Sequence, residues 1–434
     1  MEDVKATLNV TEKGKIRQSI QNCVLALQYD PILKLAFRKN EMTGRTDVVK
    51  KLPWNAAIWK GEALQFTDND ECNLRLYLEE NYDQVKDRCI STALNIIVDK
   101  NKYHPIREYL EALRWDGQER IRYALHKYFG ADEDEYVYEM LRMHMLAAIS
   151  RVYNPGIKYD VMLCLVGGQG AGKSTFYRMM AIKDEWFSDD LKRLEDENVY
   201  RKLQGHWFIE MAEMSATVNA RSIEEIKSFL SRQKDNYKIP YERHPEDRPR
   251  QCVFCGTSNT LDFLPFDRTG NRRFVPILIH PENAEVHLLE NEKSARAYII
   301  QMWAEAMVIY KKGDFKLTPS KEMEKKLQEL QRDFMPEDTK SGIIQEFLDN
   351  YKGDYVCSRV IYAEAFHHEY DEPKIYELRE ISNIMNNVVE GWEYHGNHRF
   401  GGRYGTQRAW KRIKDSVDED GFVKVPEQTK LPFD

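Results

Sequence analysis

The chain has 434 residues, 31% of them charged and 42% hydrophobic, with a formal net charge of −7. That length supports roughly two to four domains with cores of their own, and no stretch is apolar over the length of a membrane span. The acidic balance excludes a nucleic-acid binder that works by bulk charge, so any such partner must meet local basic patches.

The start, Met1-Glu2-Asp3-Val4-Lys5, lacks the design of a secretory signal. The seven cysteines, an odd number and widely spread, fit reduced thiols in a cytoplasm. Residues 1–100 read as a mixed α/β domain. A hairpin is expected from Lys34 to Lys51 around Met42-Thr43-Gly44-Arg45. Thr67-Asp68-Asn69-Asp70 supplies N-cap oxygens to a helix carrying Leu74, Leu76, Tyr77 and Leu78. A further helical pattern runs from about Asp83 to Asp99. Residues 101–156 read as a helical collar, with Pro105 starting one helix and Tyr136 to Val152 forming another, before a break at Asn154-Pro155-Gly156.

Residues 157–335 alternate strand and helix patterns, as a parallel α/β sheet demands. Within them Gly167-Gly168-Gln169-Gly170-Ala171-Gly172-Lys173-Ser174 fits G-x-x-x-x-G-K-S. The apolar run Val161 to Val166 precedes it as a strand, and a helix opens at Thr175. Glycines let backbone N–H groups turn inward around phosphate oxygens, and the helix N-terminus adds partial positive charge. Lys173 is expected to reach the β- and γ-phosphates of ATP and Ser174 to ligand Mg²⁺, with Thr175 closing the contact set.

Such a site also needs a carboxylate to hold the metal and orient the attacking water. His206 to Ile209 reads as a buried strand that ends in Glu210, with Glu213 near its tip. Glu210 is the expected metal partner of Ser174, and the division of labour between the two acids stays open. The Cys252 to Cys255 strand is followed by Thr257-Ser258-Asn259, whose amide suits the γ-phosphate. Cys252 and Cys255 form a lone C-x-x-C, read as core rather than as a metal or redox pair. Lys238 to Arg250 reads as a hairpin with Arg243 and His244 at its turn, and Lys238, Arg248 and Arg250 add charge for DNA phosphates. Arg272 and Arg273 follow a Gly-Asn turn ahead of the strand Phe274 to Ile279. Either could serve as an arginine offered to a neighbouring subunit.

Pro336-Glu337-Asp338 with Ser341-Gly342 reads as a linker into a small domain of residues 336–434. Two helical patterns, Arg359 to Tyr370 and Ile375 to Val389, precede a hairpin at Gly401-Gly402. This arrangement suggests a winged helix. Residues 391–414 hold Arg399, Arg403, Arg408, Lys411, Arg412 and Lys414 against one acid, Glu393, interleaved with Trp392, Tyr394, Phe400, Tyr404 and Trp410. Arg399, Arg403 and Arg408 are the expected DNA contacts.

Five segments together resemble the superfamily 3 helicases, and more closely the virulence-associated protein E family of phages and genomic islands. They are Tyr103-His104-Pro105-Ile106-Arg107-Glu108-Tyr109-Leu110, Leu113 to Gly117, Phe229-Leu230-Ser231-Arg232-Gln233-Lys234-Asp235, Pro249-Arg250-Gln251 and Gly270-Asn271-Arg272-Arg273-Phe274. The resemblance implies an AAA+-like P-loop ATPase core in a hexameric ring that moves on single-stranded or forked DNA. It implies ATP–Mg²⁺ on Lys173 and Ser174, an acidic motif of Glu210 and Glu213, and a sensor at Asn259. Arg272 or Arg273 becomes the finger, and Arg243-His244 the channel residues, where related viral helicases often have Lys-His. Many relatives carry an upstream primase domain; this chain is not expected to hold one, and a separate primase or replication protein is the expected partner in the bacterial host cytoplasm. The function expected is a DNA-stimulated ATPase and helicase in replication of a phage or genomic island. An ATP-switched loading factor without unwinding and a P-loop small-molecule kinase are the alternatives.

Overall fold

The computed structural model describes residues 2–191, 199–212, 220–237, 246–261, 263–264, 271–335, 339–368 and 370–413. The chain divides into two compact units: Met1–Pro265 with Asn271–Phe334, and Phe266–Gly270 with Met335–Asp434. No helix among the described residues is long and apolar enough to cross a membrane.

The first unit opens with α1 (Glu2–Thr7), α2 (Ile20–Tyr29) and a small antiparallel sheet of β1 (Phe37–Lys39), β2 (Thr46–Val48) and β3 (Leu64–Gln65). The expected hairpin is the β1–β2 pair, with Phe37 opposite Val48. α3 (Asp68–Tyr82) begins on a reciprocal cap. The Thr67 hydroxyl accepts from the Asp70 amide, and the Asp70 carboxylate accepts from the Thr67 amide. The next helix, α4 (Asp87–Lys100), starts four residues later than its pattern suggests. Asp83 adopts a left-handed conformation (φ 52°) that ends α3 and turns the chain. Leu27, Phe37, Leu74, Leu78 and Tyr82 share one core with the apolar face of α4.

Three helices follow, α5 (Pro105–Ala112), α6 (Ala124–Phe129) and α7 (Glu135–Tyr153). Then come β4 (Met162–Val166), α8 (Lys173–Met180), β5 (Phe187–Ser188), α9 (Val199–Leu203), β6 (Phe208–Met211) and α10 (Ala220–Ser231). An antiparallel pair, β7 (Lys234–Tyr237) and β8 (Glu246–Pro249), precedes β9 (Val253–Ser258) and β10 (Phe274–Leu278). α11 (Glu292–Lys312) and α12 (Lys321–Asp333) complete the unit. Strands β10-β4-β9-β6-β5 form one sheet, in that order, with every neighbouring pair parallel. β4 and β9 are buried along their whole length. That is why their sequences run apolar instead of alternating. α7 packs on α11 and on this sheet, so it too is buried nearly all round. Trp207 lies against Trp303 of α11 with ring centroids 4.4 Å apart.

The parallel sense puts the carboxyl ends of β4, β6, β9 and β10 on one edge, where open α/β sheets place their ligand sites. The amino ends gather on the opposite edge.

The second unit holds α13 (Thr339–Asn350), β11 (Tyr355–Cys357), α14 (Ser358–Glu364), α15 (Ile375–Asn387), β12 (Trp392–Phe400) and β13 (Gly405–Arg412), with sheet order β11-β13-β12. Two expectations are corrected here. Ser341 and Gly342 are not linker but lie in α13, where Ile344 and Leu348 enter the core and offset the roughly 1 kcal/mol that a helical glycine costs. α14 stops at Glu364, well short of Tyr370.

Candidate functional site

The glycine loop lies at the carboxyl edge, between β4 and α8. Gly167 has no room for a side chain: a Cβ there would sit 2.5 Å from Ile279 Cγ1 and 2.7 Å from its carbonyl oxygen. Gly172 turns into α8 with a left-handed φ of 84°, which costs other residues strain. This curl brings the buried Lys173 back over its own loop. Its ammonium donates to Gly167 O (2.7 Å), Gly168 O (2.8 Å) and Asn259 Oδ1 (2.9 Å). Burial lowers the Lys173 pKa, and Glu210 opposes that shift.

Behind the lysine, Ser174 Oγ and Thr257 Oγ1 each donate to Glu210 Oε1 at 2.7 Å. Glu210 has no exposed surface, and its other oxygen, Oε2, has no hydrogen-bond partner. Burial pushes its pKa up, and the two hydroxyl donors pull the other way. Glu210 thus has an uncommitted carboxylate oxygen beside the Ser174 hydroxyl. Both are hard oxygen donors of the kind a magnesium ion takes, with phosphate and water filling the rest of its shell. The residues present fit both a nucleotide phosphate chain and such an ion. Thr257 was not singled out by the sequence; the signal was its place at the end of β9, the strand that pairs with β6.

Arg272 and Arg273 do not join this cluster within the chain. They precede β10, whose five residues span roughly 17 Å, so they occupy the amino edge. Arg273 is paired with Asp160 (Nε to Oδ2, 3.3 Å) and donates to Ser231 Oγ (3.0 Å). The Arg272 side chain is 64% exposed, its nearest acid being Asp160 at 3.9 Å.

The expected basic hairpin has its arms at β7 and β8, so its first strand begins at Lys234 rather than Lys238. Lys238, Arg243 and His244 lie outside the described residues, as does Glu213. Arg248 is half-buried on β8. Arg250 requires a correction: it does not face a ligand. Its guanidinium is buried, forks onto Asp235 (2.6 and 2.9 Å), donates to Phe229 O (2.5 Å) and lies 4.4 Å over the Phe229 ring. In the second unit Arg399 and Arg408 are exposed on β12 and β13, and Arg403 lies in the short turn Gly402–Tyr404 between them. Cys252 and Cys255 are buried, and burial raises both thiols.

The family model of the virulence-associated protein E-like domain matches residues 110–336, more than half of the chain. The chain belongs to this family. Among solved structures, this VapE-like chain resembles the A form apo structure of the NrS-1 C-terminal region (305–718), at 13% identity and a TM-score of 0.48, covering 91% of this chain and 100% of that one. An apo structure of the same region matches at 12% identity and 0.45, covering 87% and 95%. A further A form apo structure matches at 12% and 0.47, covering 87% and 96%. No curated protein matches.

Four of the five sequence runs that mark the VapE resemblance converge on the amino edge, while Leu113 to Gly117 meets Gln301 of α11. His104 caps α5, its Nδ1 accepting from the Arg107 amide, while Nε2 faces Gln251 Oε1 at 2.6 Å. This assigns the neutral tautomer with the proton on Nε2, and burial lowers the His104 pKa accordingly. Arg107 donates twice to Val152 O at the end of α7. Gln251 adjoins the Arg250–Asp235 pair, and Ser231 links α10 to Arg273. These marks of the family therefore tie the collar helices, the base of the β7–β8 hairpin and the arginine turn into one polar cluster.

Proposed function

We propose that this VapE-like protein is a DNA-stimulated ATPase of the superfamily 3 type, a ring-forming helicase or translocase serving replication of a phage or genomic island. The observation that carries the reading is the Ser174–Glu210–Thr257 cluster, with its unpaired buried carboxylate oxygen, directly behind a glycine loop whose Lys173 reaches Asn259. Backbone N–H groups of residues 167–174 cradle the ATP phosphates. Lys173 exchanges its carbonyl partners for the β- and γ-phosphate oxygens. Ser174 and Glu210 would hold a magnesium ion, which would supply charge neutralisation to the phosphates. Asn259, which accepts from Lys173, is assigned to sense the γ-phosphate, and Glu213 to orient the attacking water.

In this reading the two candidate fingers separate. Arg273 is committed to Asp160 and Ser231 and holds the turn. Arg272 is the one to enter a neighbouring subunit's site. Arg243 and His244 are assigned to contact a DNA strand in the channel, and the buried Asp235–Arg250 pair anchors the base of the β7–β8 pair. The second unit, with its helix–strand–helix–helix–strand–strand order, supports a winged-helix role in DNA binding.

The test is ATP hydrolysis by the purified chain with and without single-stranded DNA, with Lys173→Ala as control. The expected result is DNA stimulation that vanishes in the variant. Lys173-dependent hydrolysis indifferent to DNA would overturn the motor and favour a switch or a kinase.

A further inference from the structure

One face of the C-terminal sheet carries a cluster of rings, of which Phe400 also packs against the core. Tyr355 on β11 stacks on His398 of β12, with centroids 4.1 Å apart and planes within 8°. His395 approaches the same tyrosine at 4.9 Å, and Phe400 meets His398 at 5.0 Å. Alternation alone would send His395 and His398 to opposite faces, because they are three residues apart. The ladder prevents this. Its register shifts between Tyr394 and Gly396, leaving His395 as an extra residue in a bulge, with Gly396 at φ 99°. The bulge turns both histidines onto Tyr355, the kind of re-aiming that bulges perform. His395 is exposed, and Tyr355, His398 and Phe400 are each partly open to solvent.

One cation shares the ring face. Lys411 stands opposite both Tyr355 and Glu393 in the register, and Gln407 stands opposite His398. Arg399 and Arg408 occupy the free end of the same hairpin, on its other face. None of these three cations has an ion-pair partner among the described residues. Glu393 is the one acid on the two long strands. Arg412 is excluded from the patch, since it donates to Leu348 O and Tyr351 O and covers Trp392.

We infer that this face is a stacking platform for unpaired DNA, with Tyr355, His395 and His398 receiving bases and Lys411 meeting the backbone. The inference deepens the proposed DNA role of the second unit and rests on it. Flat rings beside a cation bind single strands because every unpaired base has a π-face, while a duplex keeps its bases stacked on one another. The partner is therefore the separated strand rather than the major groove.

The test is fluorescence anisotropy of the full chain with a labelled oligo-dT, a duplex of equal length and a single-stranded RNA, in the absence of ATP. The variants are Tyr355→Leu, the ring-conserving Tyr355→Phe, and His395→Ala, which lies on an exposed bulge and does not threaten the core. Loss of one ring contact is expected to weaken oligo-dT binding about tenfold, with less than a twofold change on the duplex and recovery in Tyr355→Phe. Unchanged oligo-dT affinity in both Tyr355→Leu and His395→Ala overturns the platform, as does an equal loss on the duplex or a preference for RNA. Oligo-dT binding that depends on Tyr355, in a chain whose ATP turnover ignores DNA, would sink the motor and leave the platform standing. DNA-stimulated turnover with ring-independent binding would do the reverse.

Discussion

The Glu210 carboxylate has no exposed surface, yet only one of its two oxygens is hydrogen-bonded. A buried carboxylate without full satisfaction costs stability, so its presence suits a ligand that arrives later. Its folded pKa is raised, which means the folded state keeps a proton that the unfolded state has released. The stability associated with that proton is complete below the ordinary glutamate value of 4.5 and is lost as pH rises through the raised value. Glu210→Gln is therefore expected to unfold at a higher temperature than the parent chain at pH 7, without nucleotide, with the gap closing as pH falls toward 4.5. Differential scanning fluorimetry across that range measures it. The same variant should lose magnesium-dependent ATP turnover. A variant less stable than the parent at pH 7 would show that Glu210 is structural instead.

At the scale of elements, the β7–β8 hairpin hangs from a buried ion pair. Arg250 and Asp235 face one another across the pair, next to the Gln251–His104 contact that reaches α5. Removing one member of a buried pair strands the other without solvent. Asp235→Asn is therefore expected to cost about 3–5 kcal/mol, read from urea unfolding. An effect below about 1 kcal/mol, the range of exposed pairs, would mean the pair is not buried in solution. The same logic explains the family-marking runs. Four of the five do not surround the glycine loop; they brace the opposite edge, where the hairpin and the arginine turn begin.

At the scale of the whole molecule, a single chain cannot bring Arg272 to Lys173, because β10 separates the two edges. Completion by a neighbour predicts complementation. Lys173→Ala and Arg272→Ala chains should each be inactive alone. When mixed, they should regain part of the ATP turnover, because some interfaces pair an intact loop with an intact arginine. Loss of the arginine is expected to lower turnover by roughly 10³-fold or more. Absence of any recovery on mixing, with both variants folded and associating, would place the finger elsewhere.

The sequence by itself determined the elements whose signal is local. The glycine loop, the strand before it and the helix after it follow from glycine geometry and an apolar run. The Thr67 cap and the β1–β2 hairpin follow from turn chemistry that acts within a few residues. The acid at the end of β6 and the amide after β9 were legible because strand ends punctuate an α/β sequence. What only the tertiary structure decided depends on which ends of which strands become neighbours. The Thr257 contact to Glu210 needs β9 beside β6. The burial of Arg250 needs Asp235 fifteen residues earlier and Phe229 beneath it, so a run that reads as a basic patch turns inward. The difference between Arg272 and Arg273 needs Asp160 and Ser231, which no spacing connects to them. Side-chain chemistry is written in the sequence, but the partner that satisfies or frees each charge is fixed by strand order and register, and these are properties of the packed chain.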